Sequence, residues 1–198
     1  MKTLSPSLLP ILRSQAQGEL LALLYLHPEE QYSLTDVSRE LGISVRMVHY
    51  DVDRLLSSGL IRDSRIGNVR LVRAETDSPL FRPLTDLLAV TFGPLSIMTD
   101  LLKGTPGISE AFIYGSWAAR YLGETGQVPK DLDVLVIGNA KKNLLYEKAR
   151  EAETRLLRPV NIRLIRESDW NDLNSKNTFV ISLRSRPLVQ LGIGVDDG

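Results

Sequence analysis

Between Ser33 and Gly59 the chain reads SLTDVSRELGISVRMVHYDVDRLLSSG, and this stretch restricts the fold more than any other. Leu34, Val37 and Leu41 recur at helical spacing behind a serine fit to cap them, and Gly42 stops the run. After the turn Gly42-Ile43-Ser44, Val45, Val48, Val52, Leu55 and Leu56 form a second apolar stripe that closes at Gly59. Two short amphipathic helices joined by a glycine turn must bury their stripes together, which leaves the far side of the second helix to solvent. The following LIRDSRIGNVRLVRA alternates apolar and basic residues around Gly67-Asn68, the composition of a hairpin with a tight turn. The prediction is helix, turn, helix and a hairpin wing.

Upstream, Leu8, Ile11, Leu20, Leu23 and Leu24 predict one helix or a kinked pair between Ser7 and His27, broken near Gly18 and stopped by Pro28. Downstream, helical spacing returns from Pro79 to Leu102 and is interrupted at Gly93-Pro94. We place a domain boundary there, giving residues 1–92 and 93–198, a division that suits a chain of 198 residues. The apolar run LLALLYL is far short of the roughly 20 residues that span a bilayer, and prolines and an arginine interrupt the N-terminus before a signal core can form. A cytoplasmic protein with no membrane role is expected. With no cysteine, disulfides, thiolate metal sites and cysteine nucleophiles are excluded.

The second half changes period. Ala111 to Tyr114 reads as a strand that passes through Gly115-Ser116 into a short helix. KDLDVLVIG reads as a buried central strand, Lys141 to Leu157 as a charged amphipathic helix and VNIRLI as a further strand. Ser168-Asp169 opens another helix, and the apolar run PLVQLGIGV closes the chain. The fold class is α/β with two domains: an N-terminal winged helix of α+β type, then a small α/β domain with a mixed sheet.

Net charge is zero, yet Arg46, Arg54, Arg62, Arg65, Arg70 and Arg73 are opposed locally only by Asp51, Asp53 and Asp63. Ser44, Arg46, Met47, His49, Tyr50 and Asp53 lie off the apolar face of the second helix, and Arg65 and Arg70 flank the wing tip. Such groups can read base edges in the major groove and grip phosphate beside it. The candidate residues for double-stranded DNA are Ser44, Arg46, His49, Tyr50, Arg65 and Arg70. Over about the first 90 residues the pattern resembles the arsenical-repressor-like (ArsR-type) winged helix-turn-helix regulators. That resemblance implies a transcriptional regulator that pairs as a homodimer through helices flanking the motif. The metal sensing of that family does not carry over, because no cysteine or histidine cluster is present.

Gly115-Ser116 followed by Asp131-Leu132-Asp133 is the second constellation. A Gly-Ser turn opening a helix offers amides and a hydroxyl to phosphate, and two carboxylates one residue apart on a strand share a face on which magnesium can be held. The order is similar to that of the minimal nucleotidyltransferases of the polymerase-beta superfamily. By that resemblance Gly115 and Ser116 bind a nucleoside triphosphate, and Asp131 and Asp133 are both metal ligands for Mg2+ and catalytic residues. The gap from Ser116 to Asp131 is long for the family, and the third carboxylate expected near VNIRLI is replaced by Asn161 or Arg163. Glu167 and Asp169 are the remaining acids at that strand's end. Arg120 and Lys130 flank the site, either to neutralise phosphate or to balance the aspartates, and Trp117 is expected to pack.

Three readings stand: a regulator whose second domain holds a nucleotide with weak or no catalysis; an active nucleotidyltransferase that autoregulates its gene; and an antitoxin-type protein with a toxin partner.

Overall fold

The computed structural model describes residues 12–172 and 177–193, and its contacts divide the chain into two compact units that meet in sequence at Gly93 and Pro94. The first unit contains α1 (Gln15–Leu26), β1 (Tyr32–Ser33), α2 (Leu34–Leu41), α3 (Val45–Ser57), β2 (Ile61–Ile66), β3 (Val69–Ala74) and α4 (Phe81–Thr91). Its helix ends are set locally. Ser33 caps α2 in a reciprocal box with Asp36, Gly42 ends it in the left-handed region at φ 64°, and Ser44 caps α3 through the Met47 amide. α1 runs unbroken through Gly18, while Leu8 and Ile11 lie outside the described residues.

Leu20, Leu24 and Tyr25 of α1 are fully buried, as are Val37, Val48, Val52 and Leu88. The Tyr25 hydroxyl donates to the Leu60 carbonyl at 2.7 Å, and its ring stacks on Phe81 at 5.4 Å. α1 packs on α4 closely enough that a Cβ at Gly18 would fall within the Phe92 ring. The hairpin turns at Gly67-Asn68 in the expected register, Ile66 facing Val69. β1 was not foreseen: Tyr32 and Ser33 pair antiparallel with Val72 and Leu71, so the sheet runs β1-β3-β2.

The second unit contains α5 (Pro94–Leu102), β4 (Ile108–Tyr114), α6 (Ser116–Tyr121), β5 (Leu132–Gly138), α7 (Lys142–Leu156), β6 (Val160–Ile165), α8 (Glu167–Asn171), α9 (Thr178–Arg184) and β7 (Val189–Gln190). The sheet is mixed, in the order β6-β5-β4-β7, with β5 parallel to β6 and β4 antiparallel to both β5 and β7. Central β5 is the apolar run, and Leu132 and Val134 through Ile137 are fully buried. Leu145, Ala149, Ala152 and Leu156 form the inward stripe of α7, which packs on α5 and β6. The β-branched and aromatic sequence of α9 reads as a strand by propensity, but Asn177 caps it through the Phe179 amide and its Val180 and Leu183 are buried.

By length and composition alone the stretch Phe81–Leu102 would cross a membrane. It is two helices, α4 and α5, broken at Phe92-Gly93.

Candidate functional site

α3 has two faces. Val48, Val52 and Leu55 are buried, whereas Arg46, Met47, His49 and Tyr50 are exposed, Tyr50 at 61%. Val45, expected inward, stands partly in solvent at the first turn, where α3 has not yet reached the core. No hydrogen bond or ion pair to another described residue holds the side chains of Arg46, His49 or Arg65. The Ser44 hydroxyl accepts the Met47 amide at 3.3 Å, which leaves its proton and its second lone pair to face outward. Arg54 lies over the Tyr50 ring at 5.7 Å and donates to its hydroxyl at 3.3 Å, which orients that ring on the outer face. Asp51 is buried rather than solvated; desolvation pushes its carboxyl up, and the charge of Arg13 opposes this.

Arg70 departs from the expectation. Its Nε donates to Asp63 Oδ2 at 2.7 Å and its Nη1 to Asp53 Oδ1 at 2.8 Å, and its side chain is 22% exposed. Arg65, directly across the hairpin from Arg70, is exposed. Alternation alone cannot separate these two arginines. What separates them is that β2 and α3 each bring a carboxylate to one and none to the other. Sequence reasoning also missed the apolar wing tip, where Ile66 is 70% and Val69 49% exposed.

In the second unit, Tyr114, Asp133 and Asn161 face one another in register across β4, β5 and β6. Asn161 Nδ2 donates to Asp133 Oδ1 at 3.1 Å. Burial pushes the Asp133 carboxyl up, the Asn161 hydrogen bond draws it down, the charge of Asp131 raises it and that of Arg163 lowers it. Asp131 is exposed and stands just before β5 rather than on it, because the chain joins the sheet only at Leu132. Gly115 precedes α6 at φ 70°, where a Cβ would sit 3.0 Å from Asp133 Oδ2. Ser116 is exposed at the first position of α6.

The position opposite Asp133 therefore carries an amide. Glu167, a remaining acid, accepts from Ser109 Oγ at 3.1 Å beyond the far end of β6, and that strand end lies about 13 Å from Asn161. Among the described residues no three or more histidine, cysteine or acidic side chains gather as a metal cage. Trp117 packs as expected: it is buried, with Arg158 over its ring at 5.2 Å. Arg120 donates to the Gly126 carbonyl at 3.0 Å and so braces the loop leading toward Asp131. Tyr114 was not singled out as part of the site, whereas Arg163 was, as one of the two residues standing where a third carboxylate is expected. Burial and the charge of Asp133 push the Tyr114 phenol up, and Arg163 draws it down.

No protein-family model matches the chain. No curated protein matches it either. Solved structures that resemble part of it include Lactococcus lactis ZitR in complex with DNA, 24% identical over 38% of this chain and 50% of that one, TM-score 0.31. MepR, a transcription regulator of the Staphylococcus aureus multidrug efflux pump MepA, is 17% identical over 38% and 55%, TM-score 0.34. The heme sensor PefR of Streptococcus agalactiae is 21% identical over 46% and 60%, TM-score 0.34. The chain spans about half the length of these regulators.

Proposed function

We propose that this protein is a transcriptional regulator whose first unit binds double-stranded DNA as a homodimer, with α3 in the major groove and the β2–β3 hairpin as its wing. The observation that carries this reading is the outward face of α3. A helix anchored by Val48, Val52 and Leu55 presents Arg46, Met47, His49 and Tyr50 to solvent, beside a hairpin bearing an exposed arginine. Arg46 is the base reader, and Arg65 grips the phosphate backbone or minor groove. A labelled duplex selected from a random-sequence library, titrated by fluorescence anisotropy, tests this. Arg46→Ala is expected to weaken binding by about 1 to 3 kcal/mol. Absence of any duplex binding by folded wild-type protein would overturn the reading.

The second unit, on this proposal, holds a magnesium-bound nucleoside triphosphate at Gly115, Ser116, Asp131 and Asp133 without transferring it efficiently. Two carboxylates suit magnesium, which is commonly held by one or two acids together with substrate phosphates. Gly115 also suits it, since any side chain there would crowd Asp133 Oδ2. When bound, the ion neutralises phosphate charge. The protein's own share is to orient Asp133 through Asn161. An amide opposite Asp133 accepts no proton from an attacking hydroxyl, a loss typically worth about 100- to 10,000-fold. Calorimetry with magnesium and a nonhydrolysable triphosphate should show binding that Asp133→Ala abolishes. Robust label transfer from α-labelled triphosphate would overturn the non-catalytic part.

A further inference from the structure

The wing arginine drawn into ion pairs has a consequence for how DNA is read. Arg70 on β3 bridges two elements: Asp53, on the outward side of α3, and Asp63, on the neighbouring strand β2. Both contacts are charge-assisted and use different guanidinium nitrogens, so the planar fork fixes an angle as well as a distance. The Asp63 contact stays within the hairpin; the Asp53 contact, 17 residues away in sequence, ties the hairpin to the helix. With Nε and Nη1 both engaged and the side chain largely covered, Arg70 is poorly disposed to leave for a phosphate. Arg65, opposite it, is solvated and has no such partner among the described residues.

We infer that Arg70 is a positioning residue: the Asp53–Arg70–Asp63 bridge locks the wing to α3 and thereby sets the spacing between the major-groove reader and the wing contact, while Arg65 is the wing's cation for DNA. This rests on the DNA-binding reading above. The bridge makes specificity depend on a contact that touches no nucleotide. A duplex whose groove geometry matches the locked spacing is favoured, and a mixed-sequence duplex, held mainly through phosphate, is indifferent to it.

Salt dependence separates this role from a direct contact, because each neutralised phosphate contributes about 0.9 to the slope of log affinity against log salt. Anisotropy over a salt series, with the selected duplex and a mixed-sequence duplex, is run on wild type, Arg65→Ala, Arg70→Ala and the Asp53→Asn, Asp63→Asn double variant. Arg65→Ala should flatten the slope by about 0.9 on both duplexes. Arg70→Ala should keep the wild-type slope yet lower the selected-to-mixed affinity ratio about three- to tenfold, no more than one lost base contact. The double variant carries two fewer negative charges and frees Arg70. It should lose the same discrimination although its affinity for the mixed duplex rises. Thermal melts confirm that each variant is folded at the assay temperature.

A flattened slope for Arg70→Ala, or a double variant that keeps its discrimination, would overturn the bridge while leaving the DNA-binding reading intact. Wild-type protein that binds neither duplex would overturn both.

Discussion

The outward face of α3 and the Asp133 end of the second sheet are built by opposite means. The helical candidates all lie between Ser44 and Tyr50 on one helix, and their orientation follows from a cap and a buried stripe within that helix. Asp133 acquires its neighbours from elsewhere: Tyr114 and Gly115 from the end of β4, and Asn161, 28 residues on, from β6. A surface of the first kind degrades gradually when a local signal is lost. One of the second kind depends on strand register, where a single slip turns every side chain to the other face.

The strongest test of that contrast is Trp117→Ala. The ring is 1% exposed beneath α6, and its removal should destabilise the second unit by about 3 to 5 kcal/mol in chemical denaturation. A loss under about 1 kcal/mol would mean that α6 is not held by its core contact.

Gly115→Ala comes next. It forces an L-residue to φ 70° and ψ -145°, a region almost reserved for glycine, at a cost of about 1 to 3 kcal/mol, and crowds Asp133, so the magnesium-dependent calorimetric signal should vanish while the second unit loses part of its stability. Retention of full nucleotide binding would show that the Asp133 carboxylate is free to move aside.

For the local kind of surface, Ser33→Ala removes a cap and should cost about 1 kcal/mol in thermal or denaturant unfolding. The hydrogen bond from Ser33 holds the Asp36 carboxyl below its usual range, with Arg39 assisting and desolvation opposing. A lowered folded-state value means the stabilisation is present above the ordinary carboxylate pKa and is lost as pH falls through the lowered one. The difference between Ser33→Ala and wild type should accordingly shrink in acid. A gap independent of pH would separate the cap from Asp36.

The capping serine, the stop at Gly42, the hairpin at Gly67-Asn68 and the apolar strand after Asp133 were legible because each is encoded by neighbours in sequence. Asn161 opposite Asp133 was legible to within two positions, since Arg163 shares its face. β1 was not, because two residues carry no periodicity and Tyr32 and Ser33 become a strand only through Val72 and Leu71. α9 was hidden by β-branched residues that burial overrides. The fate of Arg70 was hidden too: alternation puts it on the hairpin, but only packing brings Asp53 within reach.

An effect no larger than that of Ser33→Ala is expected of Tyr25→Phe, about 1 kcal/mol for the bond to the Leu60 carbonyl. In wild type, burial, with some help from Glu75, pushes the Tyr25 phenol up to about 12 from 10.0. A raised folded-state value stabilises below pH 10.0 and is lost as pH rises toward about 12, so alkaline melts should show wild type losing its advantage over Tyr25→Phe across that window. Equal differences at neutral pH and at the top of the window would place the hydroxyl in water instead.

The contact between Gly18 and Phe92 means that the two positions cannot vary independently. The ring occupies the volume that any side chain at position 18 would claim, so a chain with alanine there needs a smaller partner at 92. Gly18→Ala and Phe92→Leu should each be harmful alone and partly repair one another when combined, a non-additivity confined to residues in direct contact. In lineages descended from this chain, the closeness of α1 to α4 would leave its trace as a correlated pair, an inherited agreement about which side of one crossing is allowed to be large.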